Sequence, residues 1–557
     1  MMFTFDLVSE PWIPVLLDDG TTRELGLRDV LEQAPRIREI AHDSPLFVAS
    51  IHPLLTAILH RVLEGTSTRG RKAAWRQLWD QKCFDSAAIE TYFARWSDRF
   101  DLFHPEHPFY QVAGLSTSKP KELGSLPLTE SEKSIFRLDS ELWFRSSPAT
   151  AAQVLVTAQS FGATGKNSDA EIGDKKIGSI YSSYAILTTG LTVWLSGDNL
   201  FQTLMLGLVP HELNHADAPC WELDASQQLG ALASHGTKAT GQPRGICDLL
   251  TLQSRMILLV PEDVSGEARV STAHFTQGRV IERDSQGHPY LHPMKLYENT
   301  PTGVSCLYLS ESKAIWRNAH ALLYGVHHSS DVGGLKFAAE ISMAELIEKR
   351  HLHKLNVVGV VPKPGNAGKF LLWRHDRLPI PPALLTDENL VGFVRDANRD
   401  ADLVADEMRS RFATVARVFV SGDRDGGHKP DPDNVKAIIA KFDPRRAFWP
   451  RLEAHFYQLL QALPNAPEKA LGDWEAVLQS TARECLRASC DALGDSPQAI
   501  TAVAQINLAW GFDLKYLRDP KAFIDAKKLR EAEAKKVAKA SAKAPAKTSS
   551  QAQPSLF

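Results

Sequence analysis

Leu390, Phe393, Ala397, Ala401, Val404, Met408, Phe412, Val415 and Phe419 fall three or four residues apart, which places them on one stripe of a single long α-helix. At about 1.5 Å per residue such a rod is about 50 Å long, and its apolar stripe needs covering. Thr386 is placed to cap it, and Asp387 and Glu388 suit the positive end of its dipole. Helical patterns over 448–463, 471–493 and 500–517 supply the cover, the last announced by Ser496-Pro497. The spacing therefore predicts a four-helix bundle over residues 381–520.

Ahead of Leu378-Pro379-Ile380-Pro381-Pro382, which reads as a hinge, the texture differs. Phe3, Phe5 and Leu7 alternate as in a strand, Asp18-Asp19-Gly20 makes a turn, and a helical run covers 27–34. Short apolar runs at 256–260, 306–309, 357–361 and 370–372 then alternate with helical segments and polar loops. The expected fold class is α+β: a large irregular mixed domain over 1–380, then the bundle, then a tail over 521–557. That tail is dominated by Ala, Lys, Ser and Pro and buries too little to fold, so it is expected to be disordered, flexible and basic.

A length of 557 residues exceeds one core, and 43% apolar residues suffice to fill more than one. The start, Met1-Met2-Phe3-Thr4-Phe5-Asp6, lacks the regions of a secretory signal, and no apolar run approaches twenty residues. A cytoplasmic protein without a membrane partner is expected. Cys83, Cys220, Cys247, Cys306, Cys485 and Cys490 form no C-x-x-C pair, against a zinc ribbon or disulfide framework. The formal charge is −3, but residues 527–547 hold eight Lys or Arg against two Glu, net +6, leaving −9 elsewhere. Contact with nucleic acid must therefore come from local basic loops or from neighbouring subunits.

His211-Glu212-Leu213-Asn214-His215 fits H-E-x-x-H, which sets two imidazoles on one helical face for zinc. Pro210 and Pro219 leave barely two turns for that helix, so a polar surface loop is the stronger reading and a zinc metallohydrolase the alternative. His375-Asp376 looks like the doublet of metal-dependent phosphohydrolases, but without further separated ligands it reads as local hydrogen bonding. No phosphate-cradling glycine motif or nucleophile elbow occurs. No catalytic residue, metal ligand or cofactor is assigned.

Two loops are more informative. Residues 161–184 combine glycines at 162, 165, 173 and 178 with Lys166, Lys175, Lys176, Tyr181 and Tyr184, so backbone can approach a groove and rings can stack. An ordinary flexible loop is the plain alternative. Pro362-Lys363-Pro364-Gly365-Asn366-Ala367-Gly368-Lys369 joins two apolar runs and reads as a β-hairpin with a basic tip able to wedge between base pairs.

Taken in order, further pieces resemble one family. They are Pro11-Trp12-Ile13-Pro14-Val15, His107-Pro108-Phe109-Tyr110-Gln111, Ser147-Pro148-Ala149-Thr150-Ala151-Ala152, Ala158-Gln159-Ser160-Phe161-Gly162, and Gly197-Asp198-Asn199-Leu200. His292-Pro293-Met294, Trp316-Arg317 and Trp373-Arg374-His375-Asp376-Arg377-Leu378-Pro379 follow. The series is similar to the CasA family, the large subunit of the type I-E CRISPR Cascade complex. The resemblance implies a non-catalytic subunit that recognises the protospacer-adjacent motif in double-stranded target DNA. It also implies help in opening the duplex for guide RNA pairing, contact with other Cascade subunits, and docking of a nuclease-helicase.

By the same resemblance Phe136 and Arg137, within Ile135-Phe136-Arg137-Leu138-Asp139, would grip the guide RNA's 5′ handle. Gly178 and Ser179 would meet the minor groove, and Arg279 would stand where the family has a lysine finger. Gly365, Asn366, Ala367 and Lys369 would form the wedge hairpin. Ala367 replaces the wedge glutamine of some members, a departure that bears on strand separation. A scaffold that joins RNA-bound subunits without touching DNA is a third reading.

Overall fold

The computed structural model describes residues 3–63, 71–126, 145–209, 216–223, 238, 240–282, 290–300, 303–328, 339, 352–363, 366–422, 429–504, 514 and 518. It divides into two compact units, 1–395 with 460–465, and 396–459 with 466–557.

The first unit is mixed α+β. Its opening hairpin pairs Ile13–Leu17 with Thr22–Leu25 and places Ile13–Leu17 at the centre of a three-stranded antiparallel sheet completed by Ile37–Ile40. The turn forms as the sequence suggests: Gly20 has φ +85°, and Asp19 Oδ1 accepts from the Thr21 amide at 2.8 Å. Phe3 to Leu7 do not make the expected strand. Asp6 Oδ1 accepts from the Val8 amide at 3.1 Å and Asp6 Oδ2 from Ser9 Oγ at 2.5 Å, bending the chain after a single bridge to Asp101.

The helix Pro45–Val62 runs through this unit with Pro45 to Leu59 all buried. Among the described residues it is the one helix apolar and long enough to cross a membrane, and 83% of it is inside the protein. Pro148–Ser160 and Leu200–Gly207 pack against it. A second three-stranded sheet has the order Thr192–Ser196, His353–Lys363, Asn366–Ile380, with Trp194 opposite Asn356 and Val358 opposite His375. A third pairs Arg255–Val264 with Glu267–Gln277 and adds Lys121–Glu122 at the edge.

The expected hinge is strand and helix instead: Leu378 to Ile380 finish the long ribbon, and Pro382–Thr386 form a short helix. The long rod, Glu388–Ser421, is 34 residues, and the boundary between units falls inside it. Thr386 is not its cap. Thr386 Oγ1 donates back to the carbonyls of Pro382 and Ala383, while Asp387 Oδ1 accepts from the Asn389 amide at 2.8 Å. The carboxylate wins because it is an acceptor only, and charged.

The second unit is helical: after the rod come Pro432–Phe442, Arg445–Ala462, Pro467–Asp491 and Pro497–Ala504. Ser496 Oγ accepts from the Ala499 amide at 3.2 Å, so that start signal is real. Pro432–Phe442 is an additional helix, capped by Asp431, whose side chain accepts from the Asp433 amide. Trp474 Nε1 donates to the Ala397 carbonyl at 3.2 Å, and its ring meets Phe456 edge-on at 5.7 Å. These anchors cover the rod's stripe, in which Val394, Ala397, Val404, Met408, Phe412 and Val415 are fully buried.

Burial in the first unit holds two imidazoles neutral: it pushes His52 down to about 4 and His292 down to about 3, from an ordinary 6.5. Because the unfolded chain takes up these protons first, stability is full above pH 6.5 and falls as the pH drops from there toward each folded value. Each histidine contributes at most ~1.4 kcal/mol per pH unit to that slope. Thermal midpoints should therefore fall between pH 7 and pH 5, and His52→Gln should make the fall shallower by up to one proton's share. An unaltered slope in the variant would contradict the assignment.

Candidate nucleic-acid interface

The loop 161–184 leaves the helix Pro148–Ser160 and folds on itself as two small antiparallel pairs. Gly165–Lys166 pairs with Tyr181–Ser182, and Ala170–Ile172 pairs with both Lys175–Lys176 and Leu115–Thr117. It is an ordered miniature sheet rather than a slack connection. Gly178 is buried with φ +74°, a conformation that favours glycine, and its amide donates to the Ala170 carbonyl at 3.1 Å. Ser179 is exposed beside it, and its Oγ donates to the Asn167 carbonyl at 2.6 Å. Lys166, Lys175 and Lys176 face solvent, and Tyr181 is 57% exposed.

What closes the loop is Arg255, at the start of a strand and fully buried. Its Nη2 donates to the carbonyls of Ala163 at 3.1 Å and Ser183 at 2.6 Å, one near each end of the loop, and its Nη1 donates to Ser254 at 2.9 Å. Among the described residues no carboxylate pairs with it. Carbonyl dipoles and the Phe275 ring, 5.9 Å from the guanidinium carbon, are its compensation for lost water. Burial lowers its pKa to about 10, so the charge persists at neutral pH. Gly162 is required by the same packing: a Cβ there would lie 2.6 Å from guanidinium nitrogens.

Lys121 braces the other side. Its Nζ stands 3.9 Å from the centre of the Phe275 ring and donates to Asn167 Oδ1 at 3.1 Å, while Asn167 Nδ2 donates to Ser182 Oγ at 2.6 Å. Burial, then repulsion by Arg255, brings the ammonium down to about 8. The loop is thus held through carbonyls and amides, leaving its lysines and Tyr181 outward.

The hairpin is present as His353–Lys363 and Asn366–Ile380, with Lys363 opposite Asn366 and register shifts at Pro362. Gly365 lies outside the described residues. Asn366, Ala367 and Lys369 stand in the outgoing strand, but their side chains lie outside what is described. The Phe370 ring meets Tyr184 at 6.0 Å, so the hairpin abuts the end of the glycine loop close to its turn.

Arg279 does not join these elements as a free cation. It ion-pairs with Asp248, whose other oxygen takes Arg244 Nη2 at 2.7 Å, and its side chain is 13% exposed. Phe136 and Arg137 lie outside the described residues, as do His211, Glu212 and His215. His375 and Asp376 behave as local hydrogen-bonding groups: His375 Nε2 meets Asn356 Oδ1 at 3.1 Å, and Asp376 Oδ2 accepts from the Ile315 amide at 3.3 Å. Sequence reasoning missed Arg255, Lys121 and Asn167. The one available signal was a charged residue heading an apolar strand, Arg255-Met256-Ile257-Leu258.

Arg255→Met keeps the bulk and removes every donor, leaving the Ala163 and Ser183 carbonyls without this partner at a cost of about 2 kcal/mol or more, while the Ser254 carbonyl keeps the Gly278 amide and Gln277 Nε2. The variant should melt earlier, and trypsin should cut after Lys175 and Lys176 faster than in the parent chain. Unchanged melting and cleavage would mean that the guanidinium does not hold the loop.

A family model described as CRISPR-associated protein Cse1 matches residues 6–485. The CasA/Cse1 protein of Thermus thermophilus is 30% identical over 517 residues, spanning 90% of this chain and 95% of that protein. The crystal structure of Cse1 from Acidimicrobium ferrooxidans matches with a TM-score of 0.73 at 26% identity, covering 90% of this chain and 96% of that one. A chain of a CRISPR RNA-guided surveillance complex shares the fold, with a TM-score of 0.69 at 21% identity over 90% of this chain and 98% of that one. With a full-length relative at this identity and a family match running through both units, the chain belongs to the CRISPR-associated Cse1, or CasA, family.

Proposed function

We propose that this chain is the non-catalytic large subunit of a type I-E Cascade-like complex. It reads a short motif beside the target in duplex DNA, helps to open the duplex for guide RNA pairing, and offers a docking surface to a separate nuclease-helicase. The observation that carries this reading is the junction of Tyr184 with Phe370, which sets a clamped, lysine-bearing glycine loop next to a basic hairpin. A backbone-presenting loop suits the minor groove, whose edges offer a degenerate code, so several motifs are tolerated and identity is left to guide pairing. In this reading the buried Gly178 sets the turn that presents the exposed Ser179 to the groove, and Gly365, Asn366, Ala367 and Lys369 form the wedge.

Family membership and fold kinship with an RNA-guided surveillance complex support guide RNA and other Cascade subunits as partners. Phe136 and Arg137 are proposed for the guide RNA handle. Arg279 could reach a phosphate only by leaving Asp248, so the positive charge at the groove is assigned to the loop lysines instead.

The test is a titration of duplexes that differ only at the adjacent motif, using the guide-RNA complex assembled with and without this chain. With the chain, discrimination between motifs appears; Asn366→Ala with Lys369→Ala reduces it about tenfold without affecting assembly. Equal binding of all duplexes with and without the chain would refute the reading. Phe136→Ala should instead lower the fraction of complex that retains the subunit, measured by co-purification; full retention would remove Phe136 from the RNA contact.

A further inference from the structure

One face of the long ribbon is only half covered. Along the regularly paired stretch 372–380 the alternate residues Trp373, His375 and Arg377 share a face, since successive side chains point to opposite sides, and Leu371 precedes them at the register shift. At its inner end His375 stacks on Trp194 at 5.7 Å, and Trp194 lies 4.9 Å from His52 of the central helix. The third strand pairs only with Lys354 to Val358, so beyond Val358 the ribbon continues as two strands alone. The opposite face stays covered out there: a Cβ at Gly359 would meet Leu191 and Leu309, and Arg374 Nη1 donates to the Lys313 carbonyl at 2.8 Å. On the first face cover stops, and Trp373 emerges 50% exposed with Leu371 36% exposed beside it. Among the described residues the Trp373 ring touches no other ring and its indole N–H has no partner.

An indole left half exposed on the ribbon calls for an occupant, and the charge of the ribbon says which. Residues 353–380 carry Lys354, Lys363, Lys369, Arg374 and Arg377 against Asp376, net +4 in a chain of net −3, and of these Arg377 is paired with Glu39 at 2.8 Å. A polyanion with flat apolar faces matches both features: phosphates answer the cations and a base answers the ring. A fully paired duplex buries its base faces, so the ring can be used only by an unpaired nucleotide.

We propose that Trp373, flanked by Leu371, is a stacking platform for an unpaired base of DNA opened at the tip of this hairpin. The proposal rests on the duplex-opening reading given above. Trp373 lies seven residues from Asn366, about 23 Å along the strand, so the platform holds strand already separated rather than the step being opened.

The experiment uses the complete RNA-guided complex carrying the parent chain, Trp373→Ala or Trp373→Phe. Each is titrated with a fully paired target and with a target whose guide-complementary region is pre-opened by mismatches, with 2-aminopurine placed at each unpaired position in turn. Trp373→Ala is expected to bind the pre-opened target about tenfold more weakly and to lose 2-aminopurine quenching at one position. Trp373→Phe restores most of both, and motif discrimination on paired duplexes is unchanged. Parent-like affinity and quenching in Trp373→Ala overturn the proposal, as does loss of the variant subunit from the complex, which would make this face a protein contact. If omitting the chain changes binding to neither target, the duplex-opening reading fails and the platform with it; if only the Trp373 variants are silent, the platform alone fails.

Discussion

A guanidinium that has no carboxylate partner among the described residues holds the glycine loop of the first unit. Moving a cation out of water is costly, and most buried arginines recover that cost from an acid. Arg255 recovers it from three main-chain carbonyls, two of which belong to the ends of the glycine loop. The dependence is mutual. Arg255 is tolerable only while the loop presents Ala163 and Ser183 to it, and the loop keeps its shape only while the guanidinium is there. An acid in place of those carbonyls would hold the charge as well but would leave the loop unclosed.

The same logic extends outward. Phe275 has the Arg255 guanidinium within cation–π distance and the Lys121 ammonium at 3.9 Å from its ring, and Lys121 reaches Asn167, which in turn holds Ser182. A short run of named contacts thus ties a strand of the sheet to the pair Gly165–Lys166 and Tyr181–Ser182 of the loop. The ribbon is fixed differently, by His375 stacked on Trp194, which in turn meets His52 of the helix Pro45–Val62. Two projections on a shared body, meeting at Tyr184 and Phe370, are held by unrelated interactions, so each can be altered without dissolving the other.

Much of this was legible in the residues. The rod over residues 388–421 follows from its period, the hairpin from a Pro-Gly step between apolar runs, and the opening turn from Asp19-Gly20. Local signals failed where a side chain competed for the backbone: Asp6 bends what alternation reads as a strand, and Asp387 takes the cap that Thr386 also offers. The helix Pro432–Phe442 had its Asp-Pro start in plain view. Arg255 and Arg279 could not have been told apart from sequence. Both are arginines beside apolar strands, and only the fold brings carbonyls to one and Asp248 to the other.

In the function proposed above, the clamped loop meets duplex DNA at the adjacent motif. A cleaving iron chelate tethered to Ser179→Cys, with the exposed Cys83 replaced by Ser, reports that contact directly in the assembled complex. Strand cuts centred on the adjacent motif of a cognate duplex are expected, and their loss when the motif is changed. Cuts scattered along the duplex, or none near the motif, would contradict it.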